Sequence, residues 1–147
     1  MAKIPKEVLD LADGLHSAAS HRLRQVRVED RASGIGPAQL SALSVLVFGG
    51  SMSLKRLAEI EQVKPPTMVR IVRGLADQKL ARIRADKDDG RKIDIAATGR
   101  GRSLMMRARK RRVEALARAL SAMPADQREE LRVAVAVLKK VRVAPAS

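Results

Sequence analysis

Ser53-Leu54-Lys55-Arg56-Leu57-Ala58-Glu59-Ile60, Glu61-Gln62-Val63 and Lys64-Pro65-Pro66-Thr67-Met68-Val69-Arg70-Ile71-Val72-Arg73-Gly74-Leu75 form the stretch that decides the fold. Ser53 suits the N-cap of a short helix, because its hydroxyl can accept a free backbone N–H. Leu54, Leu57, Ala58 and Ile60 give that helix an apolar face, and Val63 can plug the turn that follows. Consecutive prolines cannot sit inside a helix but suit its start, so Lys64-Pro65-Pro66 opens a second one, with Pro66 in its first turn. From there Met68, Ile71, Val72 and Leu75 recur at i, i+3, i+4 and i+7, which makes one buried stripe. Pro66, Thr67, Val69, Arg70 and Arg73 lie away from it. Threonine, arginine and small apolar groups can meet base edges, thymine methyls and phosphates, so this second helix reads as the one that enters a major groove.

Downstream, Arg82-Ile83-Arg84-Ala85 and Lys92-Ile93-Asp94-Ile95 alternate charged and apolar residues with the period of a half-buried strand. Asp86-Lys87-Asp88-Asp89-Gly90 joins them through an Asp-Gly turn signal, which predicts a two-stranded hairpin. Arg84, Lys87, Arg91 and Lys92 can flank or enter a minor groove, whose negative potential attracts guanidinium groups. Asp89 shares a face with Arg91 in an extended segment and can orient it. Major-groove candidates are Arg70 and Arg73, with Val69 against a thymine methyl and Lys64, Pro66 and Thr67 beside them. Ser53, Lys55, Arg100 and Arg102 are candidates for the DNA backbone. The three acids of the hairpin tip lack the remaining ligands of a calcium loop.

Composition points the same way. Thirty Lys plus Arg against sixteen Asp plus Glu leave +14 over 147 residues, a field that attracts polyanions. The length fits one domain with a real core. Cysteine is absent and histidine appears twice, so disulfides, thiolate metal sites and a thiol switch are excluded, and no metal or other cofactor is expected. Phe48 is the only aromatic residue, which disfavours readers that stack single-stranded bases. No Cys nucleophile, His-carboxylate pairing or glycine-rich phosphate loop supports an enzyme. No apolar run approaches the roughly 18–20 residues that span a bilayer, so no membrane partner and a cytoplasmic, nucleoid-associated location are expected.

The flanks read as helices. Ile4, Val8, Leu11, Leu15, Ala18, Ala19, Leu23 and Val26 predict one long amphipathic helix over 4–31. At about 25 residues it would reach nearly 40 Å, more than a small domain needs for its own core, so part of it is expected to pack on a second chain. Ser33-Gly34-Ile35-Gly36 breaks the chain, and Pro37 starts a helix carrying Leu40, Leu43, Leu46 and Val47 that ends at Gly49-Gly50-Ser51. Thr98 can cap a helix to about Ala122, with Leu104, Met105, Ala108, Val113, Leu116, Ala119 and Leu120 for packing. Its Arg107, Arg109, Lys110, Arg111 and Arg112 read mainly as a solvated face. Pro124 and Asp126 start a last helix with Leu131, Val135, Leu138 and Val141 on one side.

The expected architecture is therefore a single domain over 1–147, mainly α with a small β-hairpin wing. Residues 35–97 form its winged helix-turn-helix, and 4–31 and 98–142 supply dimerisation helices.

Leu57-Ala58-Glu59-Ile60, Pro66-Thr67-Met68-Val69-Arg70, Asp86-x-x-Asp89-x-Arg91 and the helix start Thr98-Gly99-Arg100-Gly101-Arg102 together resemble the MarR family of bacterial winged-helix regulators. That resemblance implies a homodimeric, sequence-specific transcriptional regulator of double-stranded DNA, often released by small aromatic or phenolic acids bound between the dimer helices and the reading domain. His16 and His21 lie on the helix that borders that pocket in the family, which makes them effector-contact candidates. Their spacing of five does not give a shared metal-ligand face. Two-fold symmetry implies a palindromic operator, and repression follows where it overlaps a promoter. The alternative is a nucleoid-associated architectural protein of low sequence specificity. Lys79 and Gln62 depart from the family pattern where turn glycines are common, Lys64 where a capping serine is, and an aromatic commonly found around Leu40 is absent. The chain must turn at the first two without glycine's freedom.

Overall fold

A computed structural model describes residues 3–85 and 93–143. The chain comprises two compact units, Met1–Arg112 and Val113–Ser147. The first contains α1 (Lys6–Val26), a 3-10 stretch (Arg27–Ser33), α2 (Pro37–Gly49), β1 (Met52–Ser53), α3 (Leu54–Ile60), α4 (Pro65–Asp77), β2 (Ala81–Ala85), β3 (Ile93–Ala97) and the start of α5 (Gly99–Ser121). The second holds the rest of α5 and α6 (Ala125–Leu138).

Local chemistry accounts for most boundaries. Pro37 takes the first position of α2, where its missing N–H costs nothing, and Gly50 ends that helix at φ 82°. Ser53 caps α3, its hydroxyl accepting from the Arg56 N–H at 3.2 Å. Pro65 and Pro66 fill the first positions of α4, and Lys64 is an extended N-cap that supplies no side-chain hydrogen bond. Val63 packs against the core in the turn between them. Pro124 is the N-cap of α6, with Asp126 in its first turn, where a carboxylate complements the helix dipole.

Two turns demand more. Gln62 (φ 54°) and Lys79 (φ 59°) are the positive-φ non-glycine residues among those described, and they bracket α4. Each accepts the left-handed conformation that costs an L-residue roughly 1–2 kcal/mol. The departures from the glycine pattern are thus met by strained backbone, with the turns themselves preserved.

Some expectations need correction: the last helix, for one, ends at Leu138 and leaves Val141 beyond it. The helix over 4–31 ends at Val26, its one buried residue, and gives way to 3-10 turns. Two arginines of α5 hold that stretch: Arg111 Nε donates to the Glu29 carbonyl at 3.4 Å, and Arg112 Nε lies 3.4 Å from Asp30 Oδ1. The two predicted strands do pair, β2 with β3, and Met52 and Ser53 add a third strand by pairing with Ile95 and Asp94 on the other side of β3, in the order β1-β3-β2. Ile60 is exposed, since the short helix α3 turns only Leu57 and Ala58 fully inward.

The core of the first unit draws Leu43 and Leu46 from α2, Leu57 from α3, Met68, Val72 and Leu75 from α4, and Met105 from α5. Leu80 and Ile95 complete it from the wing's root. The predicted stripe of α4 is therefore what seats that helix, with Ile71 half-buried at its margin.

Candidate nucleic-acid interface

Helix α4 is divided lengthwise. At about 100° per residue, Met68, Val72 and Leu75 point to one side, while Pro66, Arg70 and Arg73 fall on the other and are exposed. Thr67 and Val69 lie half-buried on the two flanks, and Lys64 is exposed at the amino-terminal end. The structure thus brings the six predicted major-groove residues to one helix and its N-cap, and leaves four of them, Lys64, Pro66, Arg70 and Arg73, exposed.

The wing rises directly after this helix. Arg84 is exposed on β2 and stands opposite Asp94 of β3, which in turn faces Ser53 of β1. Arg82, a further cation not among the residues expected at the interface, is exposed on the same sheet face opposite Ala96. The alternation that singled out Arg84 holds equally for it. Lys87, Asp89, Arg91 and Lys92 lie outside the described residues.

The backbone candidates divide. Lys55 and Arg100 are exposed. The Ser53 hydroxyl serves as the α3 cap, and Arg102 Nη1 donates to the Val47 carbonyl at 3.4 Å, near the free carbonyls at the end of α2. Arg111 and Arg112, read as solvated, are half-buried and tied to the 3-10 stretch.

A cavity of about 430 Å³ opens in the first unit between α1, the 3-10 stretch and α2, with Leu23, Val26, Leu40, Arg27, Asp30 and Arg112 among its walls. Asp30 Oδ1 is buried and accepts no hydrogen bond from the described residues. His16 and His21 are exposed on α1, and neither lines this cavity. Among the described residues no cluster of three His, Asp or Glu can hold a metal ion. No single helix among them is long and apolar enough to cross a membrane.

A helix-turn-helix followed by an antiparallel wing defines the winged-helix class. Within it, a MarR family model matches residues 33–92. An uncharacterised HTH-type transcriptional regulator of Mycobacterium leprae is 34% identical over 122 residues, covering 83% of this chain and 85% of its own length. The chain belongs to the MarR family and is a transcriptional regulator of the helix-turn-helix type, a family of regulators and not of enzymes. Solved structures agree in fold. A transcriptional regulator of Thermotoga maritima superposes with a TM-score of 0.79 at 20% identity, over 89% of this chain and 92% of that one. A variant of Staphylococcus aureus MepR bound to an oligodeoxyribonucleotide gives 0.69 at 17% identity, over 92% and 96%.

Proposed function

We propose that this protein is a homodimeric repressor that reads a palindromic operator in duplex DNA through α4 and the wing of each subunit. The observation that carries the reading is the division of α4, whose buried stripe fixes it to the core while Arg70 and Arg73 stand exposed beside a basic wing. Arginine reads guanine through two parallel hydrogen bonds in the major groove, and that geometry needs a helix held in this way.

Dimerisation is supported by apolar surface. Val8, Leu9, Leu11, Leu15 and Leu23 of α1 are exposed, as are Leu131, Val135 and Leu138 of α6. Monomers rarely leave such continuous apolar faces in water, and a second copy of the chain covers them. Two-fold symmetry then sets half-sites roughly 34–36 Å apart. An operator that overlaps a promoter blocks polymerase.

The cavity supports release by a small acidic effector, with Arg27 as a cationic wall and Leu23, Val26 and Leu40 as apolar ones. Release requires that the effector bind two arrangements of the reading helix unequally. Leu40 and Ser41 of the cavity wall belong to the same α2 turn as Gln39, which bears on α4. A ligand that moves this turn therefore acts on α4 without an intermediary.

Selection of genomic fragments on the purified protein tests the reading. Enrichment of a palindrome bound roughly 10³-fold tighter than a scrambled duplex is expected. Uniform, steeply salt-dependent binding would instead assign the protein to the low-specificity architectural class that its +14 charge alone also accommodates.

A further inference from the structure

Gly74 lies on the flank of α4 between the buried stripe and the face carrying Arg70 and Arg73. A Cβ built there would overlap Nε2 of Gln39, so the tip of this α2 side chain occupies the space that any other residue at 74 would fill. One turn further along α4, the Gln78 amide donates to Gln39 Oε1 at 3.4 Å and to the Gly74 carbonyl at 3.2 Å. Gln39 is thus inserted against the helix at Gly74 and latched to it through Gln78.

We infer that Gln39 is a positioning residue for base reading that fixes the roll of α4 about its own axis. The inference rests on α4 being the recognition helix. The apolar stripe seats the helix, but burial is non-directional and resists a small rotation about the helix axis less sharply than a hydrogen bond on one flank does. The distinction matters at the opposite face: a roll of about 10° carries a side-chain tip, some 5–6 Å from the axis, through roughly 1 Å. Paired hydrogen bonds from arginine to a base do not survive that displacement, whereas phosphate contacts, which need charge more than alignment, do. Gln39 therefore acts on sequence preference and leaves general DNA affinity alone.

Gly74→Ala is the informative variant. Alanine favours a helix over glycine, and the atom it meets is the far end of a flexible side chain, so Gln39 swings aside and the fold persists. The Gln78 latch is lost with it. Affinities of the wild type, Gly74→Ala, Gln39→Ala and the double variant are measured for the duplex selected by the wild-type protein and for a scrambled duplex, across a salt series.

Each single variant is expected to lower the ratio of the two affinities about tenfold, with scrambled-duplex affinity and salt slope unchanged and with Gly74→Ala melting no lower than wild type. In the Gln39→Ala background Gly74→Ala has no further effect, because there is nothing left to displace. An unchanged ratio in both single variants overturns the inference, as does an additive loss in the double variant, which would place the effect at DNA itself. If the wild-type protein selects no duplex, the operator reading falls first, and that result is distinct from a selective protein indifferent to Gln39.

Discussion

The Thr98 hydroxyl donates to the Lys79 carbonyl at 2.7 Å and accepts the Gly101 N–H at 3.0 Å. One side chain thereby ties the left-handed residue in the turn after α4 to the first turn of α5, and the Thr98 N–H adds a bond to the Leu80 carbonyl at 3.0 Å. Thr98→Val keeps the shape and removes both hydroxyl bonds. Losing an N-cap costs about 0.5–2 kcal/mol, so urea unfolding is expected to show a loss of that size, with Thr98→Ser retaining most of the stability. Equal stability of valine and threonine would remove the joint from the account.

Gly101 sits where α5 meets that joint. A Cβ there would overlap the Leu80 carbonyl oxygen and come within 3.1 Å of Leu43 Cδ1. Backbone cannot swing aside, so Gly101→Ala is expected to cost about 1–3 kcal/mol despite alanine's higher helix propensity. Gly99→Ala, with nothing within 4 Å of the added carbon, is the control and is expected to be neutral or stabilising. Thermal unfolding of the two separates close packing from propensity.

Lys79 and Gln62 hold positive φ without being glycine. Replacing either with glycine removes the steric cost of that conformation and adds chain entropy to the unfolded state, a balance that leaves about 0.5–1 kcal/mol of stabilisation. A fall in the unfolding midpoint for Lys79→Gly would mean that the lysine side chain stabilises the fold by more than the strain it imposes.

Asp30 and Arg112 face each other at 3.4 Å with side chains 19% and 31% exposed. Arg112→Ala leaves a largely desolvated carboxylate without its cation, at a cost of about 1–2 kcal/mol. Asp30→Asn in that background is expected to recover part of the loss. No recovery in urea unfolding would assign the effect of Arg112 to packing of its aliphatic stem.

Much of this was legible from residue order. The spacing of Met68, Val72 and Leu75 foretold which side of α4 is buried, the prolines its start, and Ser53 the cap of α3, because each is a local rule acting within one or two turns. The pairing of Met52 and Ser53 with β3 was not legible, since two residues show no period and the strand exists only through its partner. The end of α1 at Val26 was hidden for a similar reason: the apolar spacing carries no sign of the α5 arginines that engage the following turns. Gln39 against Gly74 joins residues 35 positions apart, and neither is distinctive alone. The cavity arises where α1 and the 3-10 stretch diverge from α2, a matter of tertiary geometry, and His16 and His21 lie on α1 outside its walls.

Base reading by the exposed face of α4 is tested by the affinity of Arg73→Ala for the selected duplex and for its scrambled counterpart at one fixed salt concentration. Loss of a paired contact to guanine is worth about 1–3 kcal/mol of discrimination, so the predicted result is a weakening of roughly 5- to 150-fold on the selected duplex and a much smaller one on the scrambled duplex. An equal weakening on both would show that Arg73 only neutralises phosphate, and would contradict base reading by this face.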